Sequence, residues 1–153
     1  MAIPGDKYLI DVEDIKRFRP LAEVDAARIN PYILEAQSHD LRPILGDALY
    51  SDFMKNFDNT NVLYDHYRDL LNGKEYTYQG YTVAYEGLRE MLAYFTLHRF
   101  VVMNGIHFSR FGTVRKLNGE KSEPVSTEEL RMVTSDLKSN GIRAASLVTK
   151  YLT

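Results

Sequence analysis

Apolar residues are densest between residues 86 and 103, where they recur at helical spacing on nearly every side. One face of this segment collects Leu88, Met91, Leu92, Phe95 and Val102. A helix that is apolar almost all round must be enclosed by neighbouring elements. The pattern therefore predicts a central helix over residues 86–103.

Further helices are predicted around this central one from apolar spacing and from capping residues. They are expected over 11–19, 30–40, 40–56 and 62–72, followed by one long helix over 126–152. Gly46 falls inside the third of these, and we expect a close contact with another backbone to explain it. Asn140-Gly141 is a weak point in the last helix, because that dipeptide is also a good C-cap.

Two segments break the helical pattern. Residues 76–85 alternate aromatic and β-branched residues around Gln79-Gly80, which predicts a short β-hairpin lying on the helices or on a neighbouring subunit. Asn104-Gly105 is read as a helix stop, so residues 104–125 are predicted to form a long extended arm. The expected fold is mainly α: about five to six helices bundled around the central helix, with this hairpin and this arm.

Composition narrows the class of protein. The 153 residues suit a single domain over 1–153, and the net charge of -2 gives no global attraction to nucleic acid or to an anionic membrane. The absence of cysteine excludes disulfides and thiolate chemistry. The chain shows neither a secretory signal pattern nor a membrane-spanning apolar run, so we expect a soluble intracellular product.

Candidate chemistry is sparse, and we predict no catalytic residue, no cofactor and no metal site, hence no enzyme. The four histidines lack paired metal-ligand spacing, and the nearest alternative is Asp65-His66 with Asp69 on a helix surface. His98 lies among apolar residues, where a hydrogen-bonded core histidine is expected. The glycines at 112 and 119 are too far apart for a phosphate-binding loop.

The predicted arm is the most informative segment, because it interleaves apolar and basic residues. Its candidate interaction residues are Ile106, Phe108, Arg110, Phe111, Val114, Arg115, Lys116 and Leu117. Aromatics beside cations are typical of single-strand nucleic-acid platforms, so a small nucleic-acid-binding helical module using residues 108–116 is the alternative function. The acidic balance of the chain and the lack of a known nucleic-acid motif favour protein docking.

Four pieces of the chain, taken in order, resemble one family. They are Asn30-Pro-Tyr-Ile-Leu-Glu-Ala-Gln37, Asp40-Leu-Arg-Pro-Ile-Leu-Gly-Asp-Ala-Leu-Tyr50, Gly87-Leu-Arg-Glu-Met-Leu-Ala-Tyr-Phe95, and Phe111-Gly-Thr-Val-Arg-Lys116 leading to Ser122-Glu-Pro-Val125. The family is that of the head-to-tail connectors, or neck adaptors, of tailed bacteriophages. The similarity is to the version found in phages and prophages of Bacteroides-type bacteria.

The resemblance implies a structural virion protein, made in the host bacterial cytoplasm and placed at the neck of the virion. Such a protein forms a ring, typically of twelve copies, beneath the phage portal protein and meets tail or stopper proteins on its other side. DNA is then only the genome passing through the ring, and no membrane is involved. The arm would dock on the portal or on the neighbouring subunit.

Overall fold

A computed structural model describes residues 7–20, 26–111, 114–117, 121–124 and 127–153 of the chain, without the side chains from 105 to 127. It is mainly helical, as predicted, with the first hairpin in the predicted region. The elements, in order, are α1 (Val12–Phe18), α2 (Ala26–Glu35), a π-helical turn (Ala36–Leu41), α3 (Arg42–Leu45), α4 (Asp47–Asn56), a 3-10 turn (Val62–Tyr64), α5 (Asp65–Asn72), β1 (Lys74–Tyr78), β2 (Tyr81–Tyr85), α6 (Arg89–Phe111), β3 (Val114–Leu117), β4 (Lys121–Pro124) and α7 (Thr127–Leu152).

The predicted central helix is α6, and its first half forms the middle of the core. Leu88, Met91, Leu92 and Ala93 have no exposed surface, and Leu97 is 2% exposed. Helices α1, α2 and α7 and the π-helical turn all pack against α6. The enclosure that the all-round apolar pattern requires is therefore supplied within one chain for the first half of α6, whereas Val102, on the apolar face predicted from the sequence, is 36% exposed.

The second and third predicted helices are wrong in their boundaries. The helix does not start at Asn30-Pro31 and restart at Asp40; it runs from Ala26 through the π-helical turn into α3. In that wider turn the Arg42 N–H donates to the carbonyl of Gln37, five residues back. Pro43 follows directly, and it has no N–H that would need a hydrogen-bond acceptor in the helix. The proline that suggested a new helix is therefore accommodated inside this one.

Gly46 ends α3 instead of lying inside a longer helix. Its φ is +79°, and a Cβ built on it would meet no atom within 4 Å. The predicted close backbone contact is therefore wrong, and the left-handed conformation explains the glycine. Asp47 then begins α4, with Gly46 as its N-cap residue.

The first hairpin, β1 with β2, is antiparallel and slightly longer than predicted. It lies on the C-terminal end of α7, where the rings of Tyr85 and Tyr151 stack with centroids 4.1 Å apart and Tyr76 meets Tyr151 edge-on at 5.3 Å. The Lys150 ammonium lies over the Tyr78 ring. These contacts give the two-stranded hairpin the support that it was expected to need.

The prediction that residues 104–125 form an extended arm is wrong. Helix α6 does not stop at Asn104-Gly105 but continues to Phe111, and β3 and β4 then form a second antiparallel hairpin. The Asn104 side chain donates to the carbonyl of Phe100, four residues earlier, at 2.7 Å. Its amide is therefore hydrogen-bonded within the helix, and the helix does not end there. Asn118-Gly119 lies between the two strands in the sequence, and this dipeptide is a strong hairpin signal. The prediction of an extended arm did not take it into account.

The single last helix is confirmed, because α7 runs unbroken through Asn140-Gly141. A Cβ on Gly141 would lie 2.9 Å from a ring atom of Phe95. The absence of a side chain thus lets α7 approach α6 closely at this crossing. The pair α6 and α7 makes the most extensive helix-to-helix contact in the described chain.

Candidate functional site

The predicted interaction residues are divided between two elements. Ile106, Phe108, Arg110 and Phe111 belong to the last turns of α6, and Val114, Arg115, Lys116 and Leu117 form β3. In the second hairpin Val114 pairs with Pro124 and Leu117 pairs with Lys121. The side chains of all eight lie outside the described part, so their predicted role in protein interaction stays a prediction.

Helices α6 and α7 run antiparallel. This arrangement determines which residues lie next to the start of the predicted interaction segment, 106–117. Near the start of α6, Glu90 pairs with Arg143, and further along, His98 Nδ1 lies 3.0 Å from the Thr134 carbonyl. The first turns of α7 therefore lie beside the part of α6 that precedes Gly105. Surfaces on either side of this helix pair flank the predicted interaction segment.

The first of these surfaces is a groove between the end of α1, α6 and α7, called here the α1 groove. It is lined by Arg19, Pro20, Leu97, Val101, Met132, Val133, Asp136 and Leu137, with a volume of about 510 Å³. Met132 and Val133 are 67% and 49% exposed. Arg19 and Asp136 form an ion pair with each other at the rim. The groove is thus mainly apolar, and its rim charges are matched internally.

The second surface is a cleft between α2, the π-helical turn, α6 and α7, called here the α2 cleft. It is lined by Glu35, Asp40, Phe95, His98, Arg99, Val102, Met103 and Lys138, with a volume of about 330 Å³. Val102 and Met103 are exposed, while Phe95 is half-buried. Exposed apolar residues therefore lie on both sides of the α6 and α7 pair.

The polar wall of the α2 cleft is an ion pair built on the π-helical turn. Arg99 donates to both oxygens of Asp40, at 2.9 and 3.0 Å, and approaches Glu35 at 3.8 Å. The hydrogen bond with Asp40 raises the pKa of Arg99. The geometry is the bidentate guanidinium–carboxylate fork, which fixes orientation as well as charge. Lys138, in contrast, is exposed and forms no ion pair with the described residues.

A third exposed apolar feature is the 3-10 turn, Val62–Tyr64, which sequence reasoning missed. The sequence predicts a helix over 62–72, but its first three residues form this turn instead, and Val62 and Leu63 are 75% and 70% exposed. Asn61 caps the turn by accepting a hydrogen bond from the Leu63 N–H. The signal in the sequence was Asn61 itself, a good cap placed directly before two aliphatic residues.

The metal-ligand alternative considered from the sequence, Asp65-His66 with Asp69, does not form a ligand cluster in the described residues. No group of three or more metal-binding side chains occurs in that part of the chain. The two carboxylates considered as ligands are engaged elsewhere, Asp65 with Arg68 and Asp69 with Lys74. No described helix is long and apolar enough to cross a membrane.

Comparison with known proteins gives a family and no relative of known activity. Nothing among curated proteins matches the chain, and no solved structure matches it. A family model, described as a family of unknown function (DUF6712), matches residues 41–153. That match spans α3 to the end of α7 and takes in both flanking surfaces apart from Arg19, Pro20, Glu35 and Asp40. The chain belongs to the DUF6712 family.

Proposed function

We propose that this protein is a structural component of a tailed-bacteriophage virion, a head-to-tail connector that forms a ring under the portal. In this role it links the capsid to the tail or stopper proteins and leaves a channel for the genome. It would be made in the host bacterial cytoplasm and end in the virion neck. The resemblance in four ordered pieces of the sequence is the source of this proposal.

The observation that best supports it is the exposure of apolar side chains on both sides of the α6 and α7 pair. Val102 and Met103 are 36% and 44% exposed on one side, and Met132 and Val133 are 67% and 49% exposed on the other. Clustered apolar exposure beside polar residues marks protein contact surfaces. A subunit that touches two neighbours and a portal needs several such surfaces, and these flank the predicted interaction segment.

Outside the segment 108–116, whose side chains lie beyond the described part, the surface charges favour protein contact over nucleic-acid binding. Most of the described arginine and lysine side chains already face a carboxylate. Those with such a partner are Lys7, Lys16, Arg17, Arg19, Arg42, Arg68, Lys74, Arg89, Arg99 and Arg143. A phosphate backbone needs cations that are free to release counterions.

The test is assembly with the portal protein encoded in the same genome. The two purified proteins are mixed and examined by negative-stain microscopy and by co-sedimentation. We expect the chain to add a ring to the portal. The pair of substitutions Val102→Glu and Met132→Glu should abolish that ring, because each places a charge on an exposed apolar surface. Ser139→Glu, on the outer side of α7, is the matched control and should assemble normally.

Two results would contradict the proposal. One is a parent chain that neither binds portal nor forms rings with it. The other is salt-dependent retention on DNA that disappears when Arg110, Arg115 and Lys116 become alanine, which would support the nucleic-acid alternative instead. Circular dichroism of each variant separates loss of assembly from loss of fold.

A further inference from the structure

The first hairpin is a separate sheet of two strands, so in the described chain each of its strands has one edge without a neighbouring strand. Its turn consists of Gln79 and Gly80, both with positive φ, as a type I′ turn requires. Such a turn is flanked by a hydrogen-bonded pair, here Tyr78 and Tyr81, and the two kinds of pair then alternate along the strands. The register therefore determines which backbone groups of β2 point outward.

Thr82 and Ala84 carry the outward-pointing backbone groups of β2. They lie opposite Thr77 and Glu75 in the non-hydrogen-bonded pairs, so their N–H and C=O groups point away from β1. Both residues are exposed, and no backbone group outside the hairpin bonds to theirs in the described part of the chain. Two donors and two acceptors are thus free on this edge, in the spacing that another extended strand matches.

The β2 strand lacks the features with which proteins usually protect a free edge. Charged side chains and proline on an edge strand oppose pairing with another chain. The five residues Tyr81–Tyr85 include neither. The β1 strand, in contrast, begins with Lys74 and Glu75. Of the two edges of this hairpin, β2 is therefore the one open to a further strand.

The sequence of β2 reads almost the same in both directions, Tyr-Thr-Val-Ala-Tyr. When two copies of the strand lie antiparallel about Val83, Thr82 of each copy lies opposite Ala84 of the other, and their outward groups can form four hydrogen bonds. Val83 then lies opposite Val83, and Tyr81 lies opposite Tyr85. This register opposes no like charges and sets aromatic residues against aromatic residues, which is a favourable cross-strand pair.

Tyr81 gives an independent reason to place a second copy at this edge. It is 72% exposed, more than any other tyrosine or phenylalanine whose side chain is described. It shares a face of β2 with Tyr85, which stacks on Tyr151 of α7 with ring centroids 4.1 Å apart. In the antiparallel register, Tyr81 of one copy comes beside that stack in the other, in a pair whose side chains lie close. The second copy thus covers the ring that its own chain leaves exposed.

We infer that β2 of one copy pairs with β2 of a second copy, antiparallel and centred on Val83, so that the two hairpins join into a four-stranded sheet. Pairing of this kind uses the same surface on both copies and closes as a dimer. It differs from the heterologous contact that a ring requires. The inference therefore goes beyond the proposed connector function and does not rest on it.

Self-pairing of β1 is the competing arrangement, and charge argues against it. Centred on Tyr76, it would set Lys74 of one copy opposite Tyr78 of the other, whose ring already lies 4.8 Å from the Lys150 ammonium. Asp69, 3.6 Å from Lys74, offsets one of these two positive charges and leaves the other. The β2 edge brings no cations together, so charge favours β2 as the pairing strand.

Single cysteines test the register, since the chain contains none of its own. Thr82→Cys is prepared in one copy and Ala84→Cys in another, and the two are mixed and oxidised. Across the contact their Cα atoms should lie about 5.5 Å apart, within the roughly 4.4–6.8 Å that a disulfide spans. We expect a disulfide-linked dimer in the mixture and little in either copy alone. Thr77→Cys mixed with Glu75→Cys, which have the same relation on β1, is the matched control and should not cross-link.

Proline substitution measures the hydrogen bonds between the copies. Ala84→Pro removes an outward N–H that the hairpin itself does not use, and by symmetry it deletes two of the four bonds. In sedimentation equilibrium we expect the parent chain to show a monomer–dimer equilibrium, and Ala84→Pro to raise the Kd of the dimer by about tenfold or more. Thr77→Pro removes an outward N–H from β1 in the same way and should leave the Kd unchanged. Matching far-ultraviolet spectra would show that both variants stay folded.

Three results would overturn this contact. They are a parent chain that stays monomeric throughout the concentration series, equal cross-linking by the β1 control pair, and equal cross-linking of Thr82→Cys with itself. Portal binding is measured separately on the parent chain. A β2-linked dimer that never binds portal would support this contact and contradict the connector, whereas a monomer that forms rings on portal would do the reverse.

Discussion

Gly73 and Gly87 lie where the chain enters and leaves the first hairpin, and their backbones cross in close contact. A Cβ on Gly73 would lie 2.4 Å from the carbonyl oxygen of Tyr85, and one on Gly87 would lie 2.4 Å from the carbonyl oxygen of Leu71. Both glycines also have positive φ, at 101° and 97°. The perturbation that tests this crossing is Gly73→Ala.

The expected magnitude has two parts. Gly73 has φ +101° and ψ +160°, a conformation that is essentially restricted to glycine and costs another residue about 1–3 kcal/mol. Forcing an extra carbon into a packed site costs a further 1–3 kcal/mol or so, and here the obstructing atoms are backbone, which cannot rotate away. We therefore expect Gly73→Ala to lower the free energy of unfolding by about 2–6 kcal/mol, a large share of the roughly 5–15 kcal/mol typical of a domain.

Gly46→Ala is the matched control, because Gly46 has nearly the same backbone conformation, φ +79° and ψ +158°, but a Cβ there would meet nothing within 4 Å. It should therefore lose only the conformational part, about 1–3 kcal/mol. The assay is urea unfolding followed by circular dichroism, with thermal unfolding as a check. A melting temperature falls by about 2–4 °C per kcal/mol in a chain of this size.

The comparison between the two variants can refute the reasoning. If Gly73→Ala and Gly46→Ala lose the same free energy of unfolding within about 0.5 kcal/mol, the crossing is not sterically closed and the close approach does not contribute to stability. If Gly73→Ala loses more, the difference measures the backbone contact alone.

Two further predictions concern buried polar groups. The buried Gln37 side chain accepts a hydrogen bond from the Leu9 N–H at 2.7 Å, and Gln37→Met would leave that N–H without its acceptor. We therefore expect this substitution to lower the free energy of unfolding by roughly 1–3 kcal/mol, measured by urea unfolding. An unchanged unfolding midpoint would contradict this. Burial, helped by a hydrogen bond to Asp52, raises the pKa of Tyr67 to about 12 from 10.0, so its contribution to stability is full below pH 10 and is lost as the pH rises toward 12. Parent protein should therefore lose more stability than Tyr67→Phe between pH 9 and pH 12, and parallel pH profiles would refute that.

The sequence predicted those parts of the fold that depend on apolar periodicity. The central helix, the first hairpin and the unbroken α7 follow from patterns that extend over many residues. The boundaries around Asp40 and Gly46 did not follow, because a π-helical turn changes the hydrogen-bond register without any change in apolar spacing. Proline at 43 then suggested a helix start where the chain simply continues.

The candidate surfaces were less predictable from sequence than the fold. Leu63 has the spacing of a buried helical residue, and its exposure results from a 3-10 turn fixed by Arg68, five residues later in the chain. The α2 cleft joins residues from α2, the π-helical turn, α6 and α7, and no local pattern shows which of these come together. Composition singled out residues 106–117 as the predicted interaction segment. It did not predict that these residues form the end of α6 and the first strand of a second hairpin.

Helix α7 connects the two hairpins of the molecule. It begins three residues after β4, and its residue Tyr151 stacks on Tyr85 of the first hairpin. With 26 residues it is about 39 Å long. Because α7 is one unbroken helix, a tilt imposed at its N-terminal end would also displace Tyr151 and its stack with Tyr85. The proposed contact surfaces near the start of α7 would thus be mechanically coupled to the first hairpin at the opposite end of the helix.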